Sequence, residues 1–132
     1  MKNLIQRYYD LFNSGNREAL LEMLSEEVVH EINEGNEEVG LEKFRAFLER
    51  MDRCYQEQVE YLIVFSYDNP NRAAAEFFIR GKYIATDDGL PEATGQTYHL
   101  RVGAFFEIQD GLITRITNYY NLAAWLGMVS AK

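Results

Sequence analysis

YHLRVGAFFEIQDGLITRITNYYN, residues 98–121, decides the fold. From Tyr98 the even positions read Tyr98, Leu100, Val102, Ala104, Phe106 and Ile108, while the odd positions include His99, Arg101 and Glu107. Strict alternation over this length predicts a half-buried strand. Asp110-Gly111 marks a hairpin turn, and a three-residue loop with Gly111 in the left-handed region pairs Ile108 with Leu112 and Phe106 with Thr114. On that register the returning strand turns Leu112, Thr114, Ile116, Asn118 and Tyr120 to the same face. Apolar residues grade there into an amide and a phenol, which suits a core that opens into a pocket.

Working outward, Leu4, Ile5, Tyr8, Leu11 and Phe12 form a helical stripe that Asn13-Ser14-Gly15-Asn16 interrupts as a turn. Asn16 is a candidate N-cap for a second stripe, Ala19, Leu20, Met23 and Leu24. EEVVHEINEG then changes period, with Val28, His30 and Ile32 on one side and Val29, Glu31 and Asn33 on the other, which predicts a short strand. After Gly40, LEKFRAFLERMDRCY repeats Leu41, Phe44, Phe47, Leu48 and Met51 at helical spacing. Strand signals follow in VEYLIVFSY and RAAAEFFIRGKYIAT, separated by a turn at Asp68-Asn69-Pro70-Asn71. Thr86 to Thr97 forms a loop long enough to carry function, without a phosphate-cradling pattern. LAAWLGMV either starts a short helix or lies as an apolar tail. The order is that of an α+β fold with helices on one face of a curved, largely antiparallel sheet.

At 132 residues the chain is a single domain, 1–132, able to bury a full core without staples. Twenty-one Asp and Glu against 13 Lys and Arg give a net charge of -8, which argues against a phosphate-neutralising surface and hence against nucleic acid as a partner. No membrane-length apolar run and no signal-peptide pattern occurs, so the expected location is the cytoplasm and no membrane partner is expected. Cys54 is the single cysteine and falls late in a helical pattern, where a packed thiol is expected rather than a nucleophile. His30 and His99 lie on different strand faces, and no metal-ligand spacing accompanies them; neither a metal nor a cofactor is expected.

RYYDLFNSGNREAL, EEVVHEINEG and FFEIQDGLITRITNYYNLAAWLG, in this order and spacing, resemble the nuclear transport factor two-like superfamily, in particular its ketosteroid-isomerase-related and SnoaL-like members. The resemblance covers nearly the whole chain. It implies a cone-shaped α+β barrel, a mostly antiparallel sheet wrapped around three N-terminal helices, with a ligand pocket at its open end and homodimers formed through the outer sheet face. Ketosteroid isomerase uses a carboxylate base and an oxyanion hole of one tyrosine and one protonated aspartic acid. The resemblance places the oxyanion tyrosine at Tyr8, the base at Ile32 and the oxyanion acid at Ala104, so one of three groups is retained. SnoaL-like cyclases keep an aspartate near the end of the last strand, where this chain has Asn121. The inward positions of that strand fall at Ile116, Asn118 and Tyr120, the face that alternation selects independently.

His30 is the candidate base, on the same strand face as the family's base position and with an imidazole suited to neutral pH. Its structural alternative is a buried, satisfied histidine. Tyr8 is a candidate donor to a carbonyl, or a packed ring of the helix stripe. Asn118 and Tyr120 can orient a carbonyl or hydroxyl in an apolar cavity lined also by Ile32, Ala104, Phe106 and Ile116, or form a core hydrogen-bond network. The sequence thus points to a protein that binds a small apolar or carbonyl-containing molecule, of isomerase or cyclase type. The alternative is a non-catalytic ligand-binding or dimerisation module.

Overall fold

Asp110 and Gly111 both adopt positive φ, 53° and 79°, so the closing hairpin turns in two residues. An Asp-Gly pair suits this turn, whose twist matches that of the strands it joins. The computed structural model describes residues 2–33, 35, 37–66, 68 and 71–130. The hairpin comprises β5 (Thr97–Gln109) and β6 (Leu112–Tyr120), preceded by α1 (Lys2–Ser14), α2 (Arg17–Leu21), β1 (Leu24–Ile32), β2 (Glu38–Val39), α3 (Leu41–Cys54), β3 (Tyr55–Phe65) and β4 (Arg72–Tyr83), and followed by α4 (Leu122–Val129).

The two-residue turn corrects the expected register. Gln109 pairs with Leu112 and Ile108 with Ile113, and a shift between Glu107 and Ile108 then sets Phe106 opposite Ile116. Ile113 is therefore the fully buried residue, while Leu112 is exposed and Thr114 half-buried. The bulge restores the expected phase beyond Arg115, so Ala104 pairs with Asn118 and Val102 with Tyr120. On β5 the even positions from Tyr98 to Ile108 are all buried, as alternation predicts.

The sheet runs β2-β1-β6-β5-β4-β3, antiparallel except where β1 lies parallel to β6. It is curved and unclosed, with the helices in its concavity, the cone that the sequence resemblance implies. Two elements depart from their expected extent. The second stripe is helical only over five residues, capped by Asn16, whose side chain accepts from the Ala19 amide at 3.1 Å; Leu24 already belongs to β1. β3 starts at Tyr55 rather than near Val59. The terminal apolar segment is the helix α4, which Asn121 caps by accepting from the Ala124 amide at 2.9 Å.

Helix α1 lies beside β3, and the Asn13 amide acts there as a surrogate strand. It donates to the Val59 carbonyl at 3.0 Å and accepts from the Val59 amide at 2.7 Å. Helix α2 is tied to α3 by the Arg17–Asp52 pair, in which Nε and Nη2 both reach the carboxylate. The core runs from Ile5, Leu20 and Val28 through Phe44, Leu48 and Phe77 to Phe106, Ile113 and Ile116. Cys54 is buried in it. Among the described residues no helix is long and apolar enough to cross a membrane. Asn69 and Pro70 of the expected turn lie outside the described residues.

Candidate functional site

The concavity holds a cavity of about 1300 Å³, walled by α1, β1, α3, the inner faces of β3 to β6, the loop after β4 and the start of α4. That exceeds what a drug-sized ligand requires. Among the residues singled out in the sequence, Tyr8, His30, Ile32, Asn118 and Tyr120 line it. Ala104, Phe106 and Ile116 do not: each is at most 1% exposed, within the packed layer. Phe106 is covered by the rings of Tyr8 and Tyr9, at centroid distances of 5.8 and 6.1 Å.

His30 projects from β1 between Phe44 and Phe47 of α3, with ring centroids 4.8 and 4.5 Å away. The i, i+3 spacing of these two phenylalanines places both on the helix face that meets β1. Burial lowers the His30 pKa to about 4, and the Arg50 guanidinium acts in the same direction. The imidazole is therefore neutral at pH 7. No hydrogen-bond partner for its ring exists among the described residues.

Strand register puts side by side the two positions at which the sequence resemblance implies isomerase acids. Ile32 pairs with Asn118, and Asn118 with Ala104, so the amide is flanked by the two apolar residues in one row across β1, β6 and β5. Asn33, at φ 50°, turns the chain out of β1 and accepts from the Tyr120 amide at 2.7 Å, which holds the end of β6 against the cavity. Asn121 lines the rim, but its side-chain oxygen is taken up by the α4 cap. Tyr8 is buried, and burial pushes its phenol well above the ordinary tyrosine range, with Arg17 a smaller opposing influence. It stays a neutral donor at physiological pH.

Two carboxyl groups on the opposite wall went unrecognised in the sequence. Glu57, from β3, faces the cavity and accepts from the Tyr98 hydroxyl at 2.5 Å. Burial raises its pKa, and the Tyr98 hydrogen bond and Arg17 only partly oppose this. Asp87, in the loop after β4, accepts from the Tyr55 hydroxyl at 2.9 Å and lies 3.6 Å from the Arg50 Nε. Its backbone amide donates to the Tyr83 hydroxyl, which donates onward to the Pro91 carbonyl at 2.6 Å. This network anchors the loop that the sequence marked as long enough for function. The signal for Glu57 was alternation itself, since Tyr55, Glu57 and Val59 share the inner face of β3.

His99 lies on the outer face, stacked on Phe78 at 4.7 Å and 3.3 Å from Glu60. Among the described residues no group of three His, Cys, Asp or Glu side chains is placed to hold a metal ion.

The model of the SnoaL-like domain family matches residues 5–116. No curated protein matches the chain. Three solved structures described as candidate polyketide cyclases are similar over almost their full length. One from Pseudomonas putida KT2440 is 48% identical with a TM-score of 0.96, covering 98% of this chain and 97% of its own. One from Xanthomonas campestris pv. campestris is 48% identical with a TM-score of 0.93, covering 97% and 95%. One from Silicibacter sp. TM1040 is 50% identical with a TM-score of 0.95, covering 98% and 94%.

Proposed function

The chain belongs to the SnoaL-like domain family, and from that premise we propose that it is an acid–base enzyme of the cyclase or isomerase type, acting on an apolar carbonyl compound held in the cone. The observation that carries this is His30, a neutral imidazole without a hydrogen-bond partner among the described residues, set in the cavity wall between two phenylalanines. At a pKa of about 4 it has the basicity of an ordinary carboxylate. It supplies that basicity without leaving a negative charge in an apolar wall, which is what the family's carboxylate, replaced here by Ile32, would do.

In this reading His30 removes a proton from the carbon next to the carbonyl, the step that double-bond migration and aldol cyclisation share. Tyr8 donates to the carbonyl oxygen as charge develops on it, and Asn118 and Tyr120 orient the ligand. The test is incubation with a β,γ-unsaturated ketosteroid, following conjugation by ultraviolet absorbance. A rate above buffer that falls about 100-fold or more in His30→Ala is expected. No rate above background, together with no change in His30→Ala, sinks the proposal.

Exposed rings on the outer sheet face support a homodimer through that face. Tyr61, Phe65, Phe105 and Tyr119 are each more than half exposed, and Phe105 and Tyr119 stack edge to face at 5.9 Å. Light scattering that shows a monomer at micromolar concentration counts against it.

A further inference from the structure

Glu57, Gly81 and Tyr98 stand in one row across β3, β4 and β5, because Glu57 pairs with Gly81 and Gly81 with Tyr98. The middle residue has to be glycine for reasons of space. A Cβ at position 81 would sit 2.2 Å from Cζ of Tyr98 and 2.5 Å from its hydroxyl oxygen. The phenol thus lies flat across β4 and reaches the carboxyl two strands away, at 2.5 Å. One carboxyl oxygen, Oε2, accepts this bond; the other, Oε1, has no partner among the described residues, and the residue lines the cavity.

The charged and titratable groups around Glu57 do not supply a counter-ion of its own. Arg17 of α2 is the cation whose charge acts on it, and that guanidinium is already engaged by the Asp52 carboxylate at 2.8 Å. Tyr98 of β5 and Tyr120 of β6 are the other groups that feel its charge, and both are neutral phenols with raised pKa values. Burial therefore makes Glu57 hold its proton more tightly than an exposed carboxyl does, and its second oxygen faces the cavity.

We propose that Glu57 receives a second oxygen of the ligand, so that the cavity takes an elongated apolar molecule oxygenated at both ends. Tyr98 lies six residues along β5 from Ala104, the partner of Asn118, which is about 20 Å along an extended strand and less across the curved sheet. One end of the ligand thus meets His30 and Asn118, and the other meets Glu57 beside Tyr98. A carboxyl there hydrogen-bonds an oxygenated end, a carbonyl oxygen where it carries its proton, and offers nothing to a bare hydrocarbon end. This deepens the proposed function and rests on it for the nature of the ligand.

The test uses the intrinsic fluorescence of Trp125, the single tryptophan, which lines the cavity with its ring 5.9 Å from that of Tyr98. Two probes are titrated: androst-5-ene-3,17-dione, with oxygens at both ends, and androst-5-en-3-one, which lacks the second. Wild-type protein is expected to bind the dione about 10-fold more tightly, the worth of one good hydrogen bond. In Glu57→Leu the two probes bind alike, with the mono-ketone undiminished. Glu57→Gln, which keeps an acceptor for Tyr98 and an N–H to donate, retains the preference. Equal preference in wild type and Glu57→Leu, or no fluorescence response to either steroid, overturns the proposal. Ketosteroid conjugation in His30→Ala is read separately, so loss of the preference and loss of the proposed chemistry are distinguishable.

Discussion

The two walls of the cavity handle buried polarity in opposite ways. On the β1 and α3 side, His30 sits between two phenylalanine rings, with no hydrogen-bond partner among the described residues. On the β3 and β5 side, each carboxyl is matched to a phenol, Glu57 to Tyr98 and Asp87 to Tyr55. One wall keeps a polar group uncharged by stripping it of solvent. The other surrounds its acids with weak donors in place of a dedicated cation, Asp87 with Arg50 only at 3.6 Å. The same low dielectric therefore lowers the pKa of a base on one side and raises that of an acid on the other.

Acid breaks this symmetry, and there the largest effect is expected. His30 is neutral in the fold down to about pH 4, whereas in the unfolded chain it protonates near 6.5. Its contribution is intact above 6.5 and is lost as pH falls toward 4. The loss amounts to about 3 kcal/mol, from two to three units at roughly 1.4 kcal/mol each. Denaturant unfolding at pH 7 and pH 4 should show it in the wild type and not in His30→Leu. Glu57 has the reverse sign: its folded pKa is raised, so ionisation burdens the fold at high pH and the burden lifts as pH falls through that value. Relative to Glu57→Gln, the wild type should gain stability on acidification. A gap independent of pH would mean that the two walls do not differ as described.

Gly81→Ala attacks the paired wall alone, by pushing a methyl into the Tyr98 ring. Overpacking of this kind should cost about 2 kcal/mol, read as a lower denaturant midpoint at unchanged slope. Tyr98→Phe removes the phenol oxygen and leaves the ring, with an expected loss of about 1 kcal/mol. If its effect equals that of Gly81→Ala, the glycine matters for the hydrogen bond and not for space. Smallest is Asn121→Ala at the rim, which removes the α4 cap for about 0.5–1 kcal/mol. Hydrogen exchange should show the fraying confined to α4.

The difference between the walls also explains what the sequence disclosed. His30 was legible because EEVVHEI alternates cleanly and its inward residues are otherwise apolar, so a lone imidazole stands out. The β5 face, the capping of α2 and the order of the main elements were legible for the same reason. Glu57 was hidden because MDRCYQEQ contains neither a turn residue nor a gap in the pattern. Helix α3 passes directly into β3 at Cys54–Tyr55, and a change of period without punctuation has no local marker. The hairpin phase failed for a subtler cause, since a bulge and a two-residue turn leave no compositional trace beyond Asp-Gly itself. β2 is two residues long and depends on pairing with β1 rather than on its own sequence.

The parallel contact of β1 with β6 has a consequence in time. His30 pairs with Ile116 and Ile32 with Asn118, so the strand carrying the candidate base acquires this neighbour only after some 85 further residues have been synthesised. At a ribosomal pace of about 5–20 residues per second, β1 waits several seconds with that edge open. The charged residues Glu26, Glu27 and Glu31 along that strand then serve as a guard, keeping an unfinished edge from pairing with another chain.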